Sequence, residues 1–142
     1  MLNYFQNIGV AHGQWGEKIA SEYLLRNKYE IIAQNVRPVK DDKRLEIDII
    51  AWDDALETLV FIEVKQHSTL TEYSRRLRSI TKDKKRNLRI ACNAWRRMVK
   101  WHGAIRFDVL EIYGEPNGDT PIIDHIRDVE LFARRNRFVK WY

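Results

Sequence analysis

The sequence predicts an α/β sandwich, in which helices flank a mixed central β-sheet of about five strands. Two segments carry apolar residues at helical spacing, and five short runs are rich in β-branched and aromatic residues. These segments follow one another in the order helix, three strands, helix and two strands. With 142 residues and a 44% hydrophobic composition, the chain has the size of one domain with a packed core.

The first half of the chain contains a helix and three strands. Residues 14–27 carry an apolar stripe at helical spacing and are predicted to form the first helix. Residues 29–36 form a strand that ends at an Arg-Pro pair and a polar turn. Residues 44–52 and 58–65 form the next two strands. The segment 53–57 between them is short enough for a hairpin, so we expect these two strands to be antiparallel.

The second half contains the longest helix and two strands. Residues 66–80 are polar and without a clear period, so we predict a loop. Residues 81–102 form the clearest helix, because apolar residues recur on one side and basic residues occupy the others. Residues 105–113 and 122–126 are predicted strands.

Several classes of protein are disfavoured by what the sequence lacks. Cys92 is the single cysteine, and the four histidines are isolated, so neither a disulfide framework nor a zinc-binding spacing is present. The first residues do not resemble a signal peptide, and no stretch approaches the ~20 apolar residues of a membrane span. We therefore expect a cytoplasmic protein without membrane contact. We place its domain at residues 1–127 and a basic C-terminal extension at residues 128–142.

Positive charge is concentrated in residues 75–100. This segment has eleven lysines and arginines and one acidic residue, Asp83, which gives it a net charge of +10. Because the whole chain carries +5, the remaining residues sum to −5. A basic block on an otherwise acidic protein favours binding of a polyanion such as nucleic acid. The alternative interpretation is an ordinary solvated helix face rich in lysine and arginine.

Acidic side chains lie among core-forming aliphatic residues in two neighbouring strands. Because side chains alternate along a strand, Glu46 and Asp48 share one face of the strand at 44–52, and Glu63 and Lys65 share one face of the next strand. If the strands are neighbours, Asp48 and Glu63 converge, and their repulsion calls for a proton, a cationic side chain or a divalent cation. Mg²⁺ prefers such oxygen ligands. Lys65 would then lie close enough to orient an attacking water or to stabilise charge on a phosphate.

Structural ion pairs are the alternative explanation of the same pattern. A Glu63–Lys65 pair and an Asp48–Arg44 pair at a sheet edge would need no function. The residues alone leave both interpretations open.

Several spaced motifs carry a resemblance to a known family. In chain order they are Gly13-x-x-Gly16-Glu17-x-x-Ala20-x-x-Tyr23-Leu24, Asn35-x-Arg37, Glu46-Ile47-Asp48-Ile49-Ile50-Ala51, Phe61-Ile62-Glu63-Val64-Lys65 and Arg106-Phe107-Asp108-Val109. Together they resemble the YraN family of bacterial proteins, which is similar to archaeal Holliday-junction resolvases of the PD-(D/E)XK nuclease superfamily. The resemblance covers residues 9–126.

The resemblance implies a three-layer, restriction-endonuclease-like sandwich and a set of site residues. Asp48 and Glu63 would be ligands of Mg²⁺ or Mn²⁺, Lys65 the catalytic lysine, and Glu17 a catalytic acidic residue on the first helix. Without the resemblance, Glu17 is better explained as a carboxylate favoured by the helix dipole. Glu46 shares a face with Asp48 and would help to orient the Asp48 carboxylate without binding the metal itself.

The resemblance to resolvases also places the start of the long helix beside the active site, along a nucleic-acid path. The predicted nucleic-acid contacts are Lys82, Lys84, Lys85, Arg86 and Arg89. Contacts of this kind bind phosphates without reading sequence, so we expect structure-directed or non-specific binding. Resolvases cut a symmetric four-way junction as dimers, and a homodimer is therefore expected by analogy.

Three functional hypotheses follow. The first is a metal-dependent endonuclease that hydrolyses phosphodiester bonds in DNA, including branched or junction structures, in DNA repair, recombination or processing. The second is a catalytically silent nuclease-fold protein that binds nucleic acid. The third is an interaction or scaffold protein whose charged residues form structural ion pairs.

Overall fold

Five strands form one sheet, and one helix lies on each face of it. The structure is a computed structural model that describes residues 12–68 and 80–132. The two helices are α1 (His12–Arg26) and α2 (Lys82–Val99). The five strands are β1 (Tyr29–Val36), β2 (Ile47–Asp53), β3 (Thr58–His67), β4 (Ile105–Tyr113) and β5 (Ile122–Ile126). Most of the loop predicted at 66–80 lies outside the described residues, namely positions 69–79, which include three arginines of the basic segment. Residues 133–142 of the predicted extension also lie outside them.

The strands are ordered in the sheet as they are in the chain, from β1 to β5. β3 and β4 are parallel, and every other neighbouring pair is antiparallel. Parallel neighbours require a crossover connection, and the segment that contains α2 supplies it. The hairpin that was predicted between β2 and β3 is confirmed.

Two hydrophobic cores lie on opposite faces of the sheet. The α1-side core consists of Ala20, Leu24, Tyr29, Ile49, Ala51, Val60, Ile62, Leu110 and Ile112. The α2-side core consists of Leu45, Ile47, Ile50, Leu59, Phe61, Ile80, Leu88, Ala91, Cys92, Trp95, Phe107, Val109 and Leu131. A helix, a sheet and a second helix make three layers, and the predicted α/β sandwich with a mixed five-stranded sheet is therefore confirmed.

Several predicted boundaries were wrong by one to three residues: α1 runs from His12 to Arg26 rather than from 14 to 27, α2 begins one residue later and β2 ends one residue later than predicted. Three further differences have a visible cause. α2 ends at Val99 rather than at 102, because Lys100 adopts the left-handed conformation at φ 56° and its N–H closes the last turn. β2 begins at Ile47 rather than at 44, because the backbone N–H and the guanidinium of Arg44 both bind the Asp42 carboxylate in the preceding turn. β3 extends to His67, beyond 65, because the parallel ladder with β4 continues that far.

Residues 128–132, the start of the predicted C-terminal extension, lie against the sheet. The N–H of Val129 donates to the carbonyl of Phe107 at 2.8 Å, and Leu131 is buried in the α2-side core. The boundary at 127 stays a prediction.

A buried network of charges on the α1 side joins β4 to β2 and β5. Arg106 donates to both Asp108 oxygens at 2.8 and 2.9 Å and to Asp53 Oδ2 at 3.0 Å. His125 Nε2 lies 2.8 Å from Asp108 Oδ2, so β5 is tied to the same carboxylate. Burial by itself would raise the pKa of Asp108, but hydrogen bonds from His125, Arg106 and the Asp128 N–H outweigh it and lower that pKa.

No helix within the described residues is long and apolar enough to cross a membrane.

Candidate active site

Four carboxyl groups meet where α1, β2 and β3 come together. Glu17 lies on α1, Glu46 directly precedes β2, Asp48 lies on β2 and Glu63 on β3. In the antiparallel ladder Ile49 faces Ile62, so Asp48 and Glu63 are the next positions along the two strands. The convergence of Asp48 and Glu63 that the sequence predicted for neighbouring strands therefore follows from the register of β2 and β3.

Three of the four groups are arranged as a metal site would be. Carboxylate oxygens of Glu17, Glu46 and Asp48 all lie within 4.8 Å of one another, and the three side chains are half-buried. Glu46 had been assigned only a supporting role from the sequence, but it stands beside the other two as an equal donor. Arg37 Nε holds the Glu46 carboxylate at 3.0 Å and offsets part of its charge.

Asp48 and Glu63 form a buried pair in which the pKa of each carboxyl group is raised. Burial raises the pKa of Glu63 to about 8, and the negative charge of Asp48 adds to the effect. Burial also raises the pKa of Asp48, while the backbone N–H of Val64, 2.9 Å from Asp48 Oδ2, opposes the rise. The proton of the pair therefore belongs mainly to Glu63, and Asp48 carries the charge.

Glu17 also titrates near neutral pH. Burial is the largest cause that raises its pKa to about 7; the charges of Asp48 and Glu46 act in the same direction, and a hydrogen bond from Asn35 acts against them. Asn35 has a left-handed backbone at φ 49°, a conformation that asparagine adopts more readily than most residues. The sequence singled out Asn35 only as part of the Asn35-x-Arg37 motif, and no pattern in the sequence shows that it contacts Glu17.

Lys84 joins the site from the first turn of α2. Its Nζ lies 3.4 Å from Glu63 Oε1, and its positive charge holds down the pKa of Glu63. Thr81 fixes this turn, because its side chain accepts the N–H of Lys84 at 3.1 Å. Lys84 was predicted as a nucleic-acid contact, and sequence analysis missed its ion pair with Glu63.

Close packing between Gly16 and Gln66 fixes the approach of α1 to the end of β3. The N–H of Gly16 donates to Gln66 Oε1 at 3.1 Å. A Cβ at position 16 would lie 2.8 Å from that oxygen and 3.2 Å from the Gln66 Cβ, so a larger residue would push the side chain away. Glu17 follows Gly16 directly, and its position depends on this contact.

Lys65 lies two residues beyond Glu63 on the same face of β3, as predicted, and its side chain is half-buried. Its parallel neighbour on β4 is Glu111, a buried residue that also contacts His67.

The remaining predicted nucleic-acid contacts are spread along the start of α2. Lys82 and Arg86 are exposed, and Lys85 is half-buried. Arg89 is half-buried, and its guanidinium donates to the carbonyl of Leu131 at 3.3 Å.

The Asp48–Arg44 ion pair, one of the alternative explanations of the acidic pattern, is not formed in the structure. Arg44 binds Asp42 at 3.0 Å, and the Asp48 carboxylate accepts the Val64 N–H instead. The sequence-based argument that Asp48 needed no function beyond an Arg44 pair therefore loses its support.

The donor set fits a hard divalent cation. All four groups offer carboxylate oxygens, which Mg²⁺ and Mn²⁺ prefer. Glu63 Oε2 is buried and has no hydrogen-bond partner among the residues that the structure describes. A buried acceptor without a partner costs free energy, and a cation would satisfy it. Of the two predicted ligands, Asp48 belongs to the set of oxygens within 4.8 Å of one another, together with Glu17 and Glu46, and Glu63 lies beside that set through its interaction with Asp48.

Comparison with known proteins places the chain in a family. The model of the "Uncharacterised protein family UPF0102" matches residues 16–112, a span that contains all four carboxyl groups and Lys65. A UPF0102 protein of Desulfosudis oleivorans is 40% identical over 135 residues, which cover 94% of this chain and 99% of the relative. A UPF0102 protein of Geotalea daltonii is 37% identical, covering 82% of this chain and 86% of the relative. One of Mycobacterium tuberculosis is 32% identical, covering 84% and 92%. The resemblance to the YraN family that the motifs indicated is thereby confirmed, and the chain belongs to the uncharacterised protein family UPF0102.

Proposed function

We propose that this protein is a metal-dependent endonuclease that uses Mg²⁺ or Mn²⁺ to hydrolyse phosphodiester bonds in DNA. The single observation that carries the proposal is the crowding of Asp48 and Glu63 with Glu17 and Glu46, with Lys65 on the same strand face as Glu63. The restriction-endonuclease-like class of the fold is part of this proposal, as are branched and junction DNA as substrates, which come from the motif resemblance.

The electrostatics of the site support a bound cation. With Glu63 near pKa 8 and Glu17 near pKa 7, protons partly neutralise the cluster at neutral pH. A divalent cation would replace these protons, because like charges this close are stable only when something of opposite charge joins them. Among the described ion pairs, Lys84 contacts Glu63 and Arg37 contacts Glu46.

Each residue has a role in the proposed reaction. Asp48 and Glu63, with Glu17 and Glu46 beside them, would hold the cation, which supplies positive charge against the charge that develops on the phosphate. Glu17, with a pKa near 7, is suited to accept a proton and to release it again at physiological pH. The ammonium group of Lys65 would donate hydrogen bonds to the attacked phosphate or to the attacking water.

The basic start of α2 supports nucleic acid as the substrate. Lys84 already reaches Glu63, so the first turn of α2 borders the carboxyl cluster, and Lys82 and Arg86 point to solvent nearby. Such residues bind phosphates by charge and make affinity fall with salt.

A cleavage assay tests the proposal. Duplex, single-stranded, flapped and four-way-junction DNA are offered with Mg²⁺, with Mn²⁺ and with a chelator. Asp48→Asn, Glu63→Gln and Lys65→Met are compared with wild type and with Glu22→Gln, an exposed acidic residue on α1 that leaves the cluster untouched. We expect metal-dependent cleavage by wild type and by Glu22→Gln, and a loss of at least about a hundredfold in the other three. Calorimetric Mg²⁺ binding should be lost in Asp48→Asn.

The other outcomes separate the remaining hypotheses. DNA binding without cleavage, unchanged in the three variants, would refute the nuclease and favour a nucleic-acid-binding protein. If neither DNA nor RNA binds at low salt, the interaction-protein hypothesis remains.

A further inference from the structure

A cleft lies at the opposite end of α2 from the carboxyl cluster. It has a volume of about 240 Å³ and is lined by Asn93, Arg96, Arg97, Trp101 and His102. Trp101 packs against Trp52, near the end of β2 that is remote from Asp48. The cleft is therefore separate from the candidate active site.

Two neighbouring arginines, Arg96 and Arg97, line this cleft. Within the described part of the chain, the Nε of Arg96 is buried without a hydrogen-bond partner, and its Nη1 lies 3.3 Å from Asn93 Oδ1. Among residues 12–68 and 80–132, no carboxylate forms an ion pair with Arg96 or with the exposed Arg97. Arg96 and Arg97 thus leave guanidinium N–H donors and two positive charges for an anion in the cleft.

The wall of the cleft is held in place by the loop after α2. The indole N–H of Trp101 donates to the carbonyl of Ala104 at 3.1 Å, and its ring meets Trp52 edge-on at 5.6 Å between centroids. A Cβ at Gly103 would lie 2.3 Å from the Trp101 ring, so glycine is required there. With its ring fixed between Trp52 and Gly103, Trp101 forms a wall and is not free to stack on a base.

We propose that this cleft binds one phosphate group of a nucleic-acid backbone, as a second contact remote from the site of cleavage. Two guanidinium groups match the geometry and the charge of a phosphate. They also outweigh the partial negative charge at the C-terminus of α2, which by itself would repel an anion. The inference rests on the proposed function for its partner, but its test measures binding and not cleavage.

A stripe along the outward face of α2 runs from the start of the helix to the cleft and points to nucleic acid rather than to a free phosphate. Lys82, Arg86, Asn93 and Arg97 are separated by four, seven and four residues, so they lie on one side of the helix. Arg86 and Arg97 are ~17 Å apart along the axis. That distance corresponds to about five nucleotides at ~3.4 Å each. A backbone strand that passes the start of α2 therefore reaches the cleft without a bend in the protein.

The decisive experiment compares two charge-matched double variants. Arg96→Gln/Arg97→Gln removes the proposed contact, and Arg26→Gln/Lys28→Gln removes two exposed positive charges at the end of α1, on the other face of the sheet. Binding of a fluorescent DNA duplex of about 20 base pairs, long enough to span α2, is measured in a chelator across a range of salt. We expect the first variant to lower the slope of log K against log salt by about 1 and the affinity at 0.1 M salt by about tenfold. The α1 control should match wild type.

The remaining outcomes either refute the phosphate contact or separate it from the proposed nuclease activity. An unchanged slope refutes it, as does a wild type that binds no nucleic acid. If Arg96→Gln/Arg97→Gln unfolds, the exposed Arg97→Gln alone must lower the affinity. Inorganic phosphate and a mononucleotide are titrated while the Trp101 indole resonance is followed. Saturation of that resonance by inorganic phosphate, with duplex affinity unaffected, would mean a small-anion site and would refute the nucleic-acid contact. A lowered slope without any cleavage would leave this inference standing and refute only the nuclease.

Discussion

Replacing Glu63 with glutamine should stabilise the metal-free protein, and more strongly as the pH rises. Glu63 is buried beside Asp48, and its pKa of about 8 means that the folded protein keeps a proton there which the unfolded chain releases near 4.5. The amide of glutamine has nearly the shape of the protonated carboxyl and can donate to Asp48 in the same way. The variant removes the ionisation without removing the side chain.

The sign and the size of the effect follow from linkage. Between pH 4.5 and about 8 the folded state binds more protons than the unfolded state, so the free energy of unfolding falls as the pH rises through this window. One pKa unit corresponds to about 1.4 kcal/mol, and the full difference is therefore worth at most about 5 kcal/mol. Glu17 contributes a decline of the same sign up to its pKa of about 7 in both proteins, so it cancels in the comparison.

Urea unfolding in a chelator at pH 4.5, 6.5 and 9 measures this difference. Glu63→Gln should match wild type at pH 4.5 and exceed it by about 3–5 kcal/mol at pH 9. Glu22→Gln, an exposed control on α1, should follow wild type at every pH. Added Mg²⁺ should then stabilise wild type at pH 9 and leave Glu63→Gln nearly unchanged. Parallel curves for wild type and Glu63→Gln would show that burial and Asp48 do not perturb Glu63, and the electrostatic argument for a cation site would fall.

Three further predictions concern the rest of the fold. Asp108→Asn should cost about 3–5 kcal/mol in urea unfolding, because Arg106 and His125 lose a buried charged partner. Because the pKa of Asp108 is lowered in the folded protein, its stabilising effect is present above the ordinary pKa of aspartate and is lost in acid. The free energies of unfolding of wild type and variant should therefore converge at low pH, and a difference that does not change with pH would contradict this role of Asp108. Cys92 is fully buried and burial raises the pKa of its thiol, so a thiol reagent should label it only as fast as the protein unfolds; rapid labelling of the native protein would be inconsistent with the packing. Lys100→Gly should raise the free energy of unfolding by about 0.5–1 kcal/mol, because Lys100 has φ 56° at the end of α2, and a loss of stability would show that the lysine side chain matters more than its backbone.

Local periodicity accounts for how much of the fold could be predicted. The two helices and five strands are those that the hydrophobic spacing indicated, since periods of two and 3.6 residues are properties of the chain itself. The ends were less predictable: α2 stops at the left-handed Lys100, and β3 extends to His67 because β4 lies beside it. The end of α2 depends on one dihedral angle of Lys100, and the end of β3 depends on a strand partner more than forty residues away in the chain.

The sequence by itself determined the elements, the alternation that puts Asp48 and Glu63 on chosen strand faces, and the concentration of positive charge in α2. Only the tertiary structure decided that burial beside Asp48 raises the pKa of Glu63, that Glu46 and Glu17 lie close to Asp48, and that Lys84 contacts Glu63. Alternation and charge density are local quantities that a chain carries in any conformation. Desolvation and Coulomb interactions depend on distances through space, and those distances exist only once β2, β3 and the two helices have packed together.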